Sequence, residues 1–135
     1  SFHIKFICED IMDSSLSDAS IVVVNYVIQF LDLEQRDTLL EKIYNALLPG
    51  GILILSEKIH HKNNFESERI FKTHHKFKSS NGYSDLEISG KRDSLEGVLL
   101  TECEEDYILR AKKAGFINSE KILSNLNFRT FKFLK

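Results

Sequence analysis

"SSLSDASIVVVNYVIQFLDLEQRDTLLEKIYNALLPGGILILSEK", residues 14–58, holds two apolar runs separated by a helical pattern. The first run, "SIVVVN" at 20–25, is short, continuous and rich in Val, as expected of a parallel strand covered on both faces. Asp32 with Gln35 three residues later makes a capping-box pattern, and Leu39, Leu40, Ile43, Tyr44 and Leu47 follow at helical spacing. Pro49-Gly50-Gly51 is expected to stop that helix, and "ILILSEK" at 52–58 reads as a second buried strand. Strand, helix, turn and strand form a βαβ unit, which implies a parallel pair and a right-handed crossover. The fold class is α/β.

On the amino-terminal side, "FHIKFICED" at 2–10 alternates apolar and polar residues and reads as a strand ending in two carboxylates. On the other side, residues 65–78 place Ile70, Phe71, His74 and Phe77 on one side of a helix, and Asn81-Gly82-Tyr83 makes a turn. Ser84 with Glu87, and Thr101 with Glu104, predict capping boxes for two further helices. Gly115 suits the left-handed residue that ends the last of them. "SEKILSN" at 119–125 and "NFRTFKFLK" at 127–135 read as closing strands, the latter alternating Phe128, Thr130 and Lys132 with Arg129, Phe131 and Phe133. No internal repeat or linker interrupts the chain.

A length of 135 residues suits one domain, and ten Phe supply the bulk of a core. With 18 basic and 20 acidic residues the net charge is -2, so no basic field argues for direct nucleic-acid binding. No apolar run approaches the roughly 18 residues of a membrane span. Cys8 and Cys103 match neither a disulfide nor a metal pattern, and reduced thiols in a cytoplasmic protein are expected.

Three positions invite a chemical reading. In open parallel sheets ligands bind at the carboxyl ends of strands, near the switch in strand order, and Asp10 and Asn25 both stand at such ends. A carboxylate there can accept a hydrogen bond from an exocyclic amine of adenine. An Asp after a strand is also a common turn former, and Asn25 can cap the helical turn that follows. Arg92 falls on the stripe Ile88, Arg92, Leu95 and Leu99, which puts a guanidinium on an apolar helix face. An inward charge needs a partner, either a bound carboxylate or Glu96 one turn on, unless the Arg snorkels to water at the edge of the core. The adjacent pairs His60-His61 and His74-His75 lack the i, i+4 spacing of helical metal ligands, so no metal is expected. Nucleophile elbows and phosphate loops are absent from the sequence.

The order of these elements, with "VVVNYVIQFL", "LLPGGILILSEK", "HHKFKSSNGYSDLEISGKR" and the closing "NLNF", resembles the carboxy-S-adenosyl-L-methionine synthase family, within the class I S-adenosylmethionine-dependent methyltransferase superfamily. The resemblance covers essentially all 135 residues. It implies a Rossmann-like fold, a mostly parallel sheet with helices on both faces, and a helical insertion at about 62–100. It implies synthesis of carboxy-S-adenosyl-L-methionine from S-adenosylmethionine and prephenate, the product serving as donor for wobble-uridine modification of tRNA. By the same resemblance Asp10 and Ile11 contact adenine, Asn25 contacts the nucleoside, and Arg92, the catalytic residue, holds the new carboxylate. A cytoplasmic homodimer is implied as well.

The resembled fold has strand order 3-2-1-4-5-7-6. Its strands 1 and 2, the glycine-rich loop and the acidic ribose ligand have no counterpart in this sequence. Residues 1–135 therefore read as the carboxyl-terminal part of a single methyltransferase-like domain, expected to be inactive alone. Two other readings stay open: an ordinary S-adenosylmethionine-dependent methyltransferase, with no need of Arg92, and a truncated non-catalytic dimerisation fragment.

Overall fold

The computed structural model describes residues 3–135. In chain order its elements are β1 (Ala19–Asn25), a 3-10 turn (Ile28–Phe30), α1 (Leu33–Ala46), β2 (Leu47–Lys58), α2 (Asn64–Ser80), α3 (Asp85–Leu95), α4 (Glu104–Ala114), β3 (Ile117–Asn125) and β4 (Phe128–Leu134). β1 and β2 pair in parallel, β4 lies antiparallel to β2, and β3 antiparallel to β4. The sheet order β1-β2-β4-β3 is that of strands 4-5-7-6 in the resembled fold. These four strands form the mixed end of that sheet.

The expected capping box opens α1. Asp32 accepts from the Gln35 N–H at 2.9 Å, and the Gln35 side chain accepts from the Asp32 N–H at 3.3 Å. Such a cap is worth about 1 kcal/mol. Leu39, Leu40 and Ile43 then face the sheet, fully buried. The helix ends at Ala46, before Pro49, because buried Leu47 already has extended backbone and begins β2.

Leu53 and Leu55 of β2 stand opposite Phe133 and Phe131 of β4 on one sheet face, and α1 and α4 cover them with Leu39, Leu40, Tyr107 and Ala111. Full burial of each large apolar side chain contributes roughly 1.5–3 kcal/mol. Gly115 ends α4 in the left-handed region (φ +115°), packed so closely on Tyr44 that an added Cβ would lie 2.8 Å from the ring.

Several expectations are corrected. Residues 3–9 form no strand and stay exposed. A strand needs a neighbour for its N–H and C=O groups, and none is paired with it among the described residues. β1 is not covered on both faces: Val24 is buried, but Ile21 and Val23, on the other face, are 60% and 57% exposed. Cys103 rather than Thr101 caps α4, its N–H donating to the Asp106 carboxylate at 3.3 Å. Thr101 instead meets His60 Nδ1 at 3.0 Å, and Glu104 turns to Arg129 and Lys121. The Ser84–Glu87 box forms as expected at the start of α3. Among the described residues no helix is long and apolar enough to cross a membrane.

Candidate functional site

β1 and β2 end side by side. Asn25 pairs in register with Ser56 and Ser56 with Thr130, while Lys58, two residues on, pairs with Phe128. Register partners and alternate residues share a sheet face, so Asn25, Ser56, Lys58, Thr130 and Phe128 all stand on the face opposite the core. After exposed Asn25 the chain turns sharply: Tyr26 adopts φ +57° and donates its N–H to the Ser56 carbonyl at 2.8 Å. A non-glycine residue there costs roughly 1–2 kcal/mol. The Tyr26 ring meets Phe128 edge-on at 5.9 Å, and Phe128 meets His74 of α2 at 5.5 Å. An aromatic line thus runs from the end of β1 to α2.

Glu57 anchors this corner. Its buried carboxylate accepts from the N–H groups of Ile28 and Gln29 at 2.9 and 3.4 Å, while the Gln29 side chain accepts from the Lys58 N–H at 3.1 Å. Burial pushes the Glu57 carboxyl up to about 7, outweighing the N–H donors that pull it down.

Beyond the end of β2, a cleft of about 520 Å³ opens between β2, α2 and α3, lined by Lys58, Phe71, His74, Lys78, Ile88 and Arg92 among others. The stripe predicted on α3 is present: Ile88 is buried, and Leu95 and Leu99 are half-buried. Arg92 departs from it. Its side chain is 60% exposed, with Nε 3.9 Å from Asp93 and its guanidinium carbon 5.9 Å from the Phe71 ring centre. It edges the cleft rather than entering a closed core, and Glu96 is not its partner. A cation over an exposed ring is worth about 0.5–1 kcal/mol.

The segment joining α3 to α4 is fixed by a guanidinium that the sequence reading passed over. Arg36 of α1 is fully buried; it donates to Glu102 at 2.8 Å, to the Leu100 carbonyl at 2.7 Å and to the Leu31 carbonyl at 2.9 Å. Arg110 pairs with Glu102 and Asp37. Leu100 donates its N–H to Gln29 at 2.8 Å, which ties the far end of the cleft back to the turn after β1.

The remaining sequence-predicted positions lie apart from the cleft lining. Asp10 is exposed and accepts from the Met12 N–H at 2.8 Å, a local turn; its second carboxylate oxygen accepts no hydrogen bond among the described residues. Ile11 packs half-buried against the core, and its carbonyl accepts from Lys42 at 3.2 Å. Among the described residues no three His, Cys, Asp or Glu side chains are grouped to hold a metal ion. The sequence reading did not single out Lys58 or Lys78, which with His74 bring three nitrogen bases to one cleft. Burial lowers Lys58, and Lys78 lowers it further; burial, then Lys78 and Lys58, lower His74. The signal was present in the sequence: His74 and Lys78 are one helical turn apart, and Lys58 ends a strand.

The comparisons with known proteins agree with this architecture. No protein-family model matches the chain. Over 126 residues, 93% of the chain, it is 48% identical to a carboxy-S-adenosyl-L-methionine synthase of Citrobacter koseri, and 47% identical to one of Salmonella paratyphi C. The chain spans about half of these relatives, 51% of each. Among solved structures, human N-acetylserotonin methyltransferase in complex with SAM matches with a TM-score of 0.65 at 18% identity, over 100% of this chain and 35% of that one. The S-adenosylmethionine-dependent methyltransferase SibL in its apo form matches at 0.64 and 14% identity, over 96% of this chain and 35% of that one. The fold is that of the S-adenosylmethionine-dependent methyltransferases.

Proposed function

We propose that this chain, a homologue of the carboxy-S-adenosyl-L-methionine synthases, carries part of the site at which a full-length protein makes carboxy-S-adenosyl-L-methionine from S-adenosylmethionine and prephenate. The observation that carries this reading is 48% identity over 93% of the chain; the placement of Arg92 on the cleft wall is consistent with it.

The chemistry needs a sulfonium methyl to lose a proton and gain carbon dioxide. Prephenate supplies both reagents: on aromatising to phenylpyruvate it releases its ring carboxylate as carbon dioxide and its hydroxyl as hydroxide. Hydroxide takes the methyl proton to give water, and the ylide carbon attacks carbon dioxide to give the new carboxylate. In this reading Arg92 binds that carboxylate by its two-pronged guanidinium. Asp10 accepts from the adenine amine, Ile11 flanks the ring, and Asn25 holds the nucleoside at the strand end. The aromatic line from Tyr26 to His74 helps keep water from the ylide.

The product would serve a separate enzyme that modifies a wobble uridine of tRNA, with no nucleic acid bound here. A cytoplasmic homodimer completes the reading. Mass analysis of nucleosides that co-purify with the full-length protein tests it. A species heavier than S-adenosylmethionine by one carbon dioxide is expected. Only S-adenosylmethionine or its demethylated form would indicate an ordinary methyltransferase.

A further inference from the structure

We propose that Lys58, His74 and Lys78 form an anion subsite across the cleft from Arg92, and that it receives a carboxylate of the second substrate, a small ring compound. This rests on the reading of the cleft as the reaction site.

Most cations near the interior of this protein have fixed acceptors. Arg36 binds Glu102, Arg129 binds Glu104 at 2.9 Å, and Lys135 binds the carbonyls of Tyr44 and Leu47 at 2.7 and 2.6 Å. The neighbouring histidines are also engaged: His75 faces Asp85 at 3.4 Å and His61 faces Glu66 at 3.9 Å. Lys58, His74 and Lys78 differ. All three are half-buried and line the cleft, yet none makes an ion pair or side-chain hydrogen bond among the described residues.

They also converge. His74 and Lys78 sit one turn apart on α2, and His74 abuts Phe128, the register partner of Lys58. Gathering like charges without an anion is costly, and both lysines make protonation of His74 harder. An arriving carboxylate reverses that cost. The carboxylates in the lining, Asp93 and Glu96, stand on the α3 side with Arg92. Phe71, Ile88 and Leu95 offer an apolar wall for a ring, and the cleft volume is that of a small-molecule site. Lysine binds as a point charge without fixed geometry, which suits a carboxylate that must leave or turn during reaction.

The test uses Lys58→Gln, Lys78→Gln and the double variant of the full-length protein, with prephenate as the probe. The double variant should raise the KM for prephenate about tenfold or more, while the Kd for S-adenosylmethionine stays within about twofold. Lys78→Arg, which keeps the charge, should recover most of the affinity. An unchanged KM, or equal weakening of both ligands, overturns the subsite. Should the wild-type protein form no carboxylated nucleoside, the reaction assigned above fails, and direct calorimetric titration with prephenate decides the subsite separately. Saturable binding lost in the double variant upholds it; absent or unaltered binding refutes it.

Discussion

Arg92→Leu is expected to separate binding of a carboxylated nucleoside from binding of S-adenosylmethionine. Leucine continues the stripe of Ile88 and Leu95, so α3 should keep its packing. What is lost is one guanidinium and its contact with Phe71, 5.9 Å away. The magnitude follows from exposure. A fully desolvated charge pair loses 2–5 kcal/mol or more on truncation, but the Arg92 side chain is 60% exposed. The appropriate scale is a hydrogen bond to a charged group, about 1.5–3 kcal/mol, or roughly a tenfold to 150-fold loss of affinity. S-adenosylmethionine lacks the extra anion and should bind the variant almost as it binds the wild type. Arg92→Lys should recover only part of the loss, because an ammonium cannot make a bidentate contact. Paired calorimetric titrations of the full-length protein with both nucleosides measure the difference, and a thermal melt checks the fold. Equal loss for both ligands, or no loss with an intact fold, refutes the role given to Arg92.

Three further outcomes are expected. Asp10→Asn keeps an acceptor for the Met12 N–H but loses the carboxylate that would accept from adenine, so S-adenosylhomocysteine should bind the full-length protein more weakly by about 1.5–3 kcal/mol; unchanged affinity would leave Asp10 a turn residue. Glu57 has a folded pKa of about 7, above its ordinary 4.5, so its stabilising contribution is present below pH 4.5 and is lost as pH rises through 7. Up to roughly 3 kcal/mol of stability should fall away across that window; denaturant melts of Glu57→Gln should show a flatter profile, and an unchanged slope would rule the assignment out. Gly115→Ala forces a Cβ to 2.8 Å from Tyr44 at φ +115°, and should cost on the order of 1–3 kcal/mol; a melting temperature equal to wild type would contradict it.

The βαβ unit was legible because its signals are local: a Val run, a capping box, a helical stripe and a second apolar run each follow from neighbouring residues, although Pro49-Gly50-Gly51 lies within β2 and does not itself end α1. The buried face of β4 was legible from its alternation. What failed depended on distant partners. Residues 3–9 have the alternation of a strand, but pairing is a property of two segments, and β1 is exposed on one face for the same reason. A guanidinium on an apolar stripe is enclosed at Arg36, which precedes Leu39, Leu40 and Ile43 and is fully buried. Arg92 is not enclosed, because α2 buries no residue and α3 buries only Ile88. Spacing gives the face of a helix; how much covers that face is set by tertiary packing. The same limit applies to Lys58: spacing on α2 places His74 and Lys78 together, but only the fold brings Lys58 of β2 to them.

Incubating the full-length protein with S-adenosylmethionine and prephenate, and following the products by mass spectrometry, puts the proposed synthase reaction to the test. Carboxy-S-adenosyl-L-methionine and phenylpyruvate are expected in equal amounts, dependent on both substrates. Unconsumed prephenate, or S-adenosylhomocysteine appearing in place of the carboxylated nucleoside, would contradict that reaction.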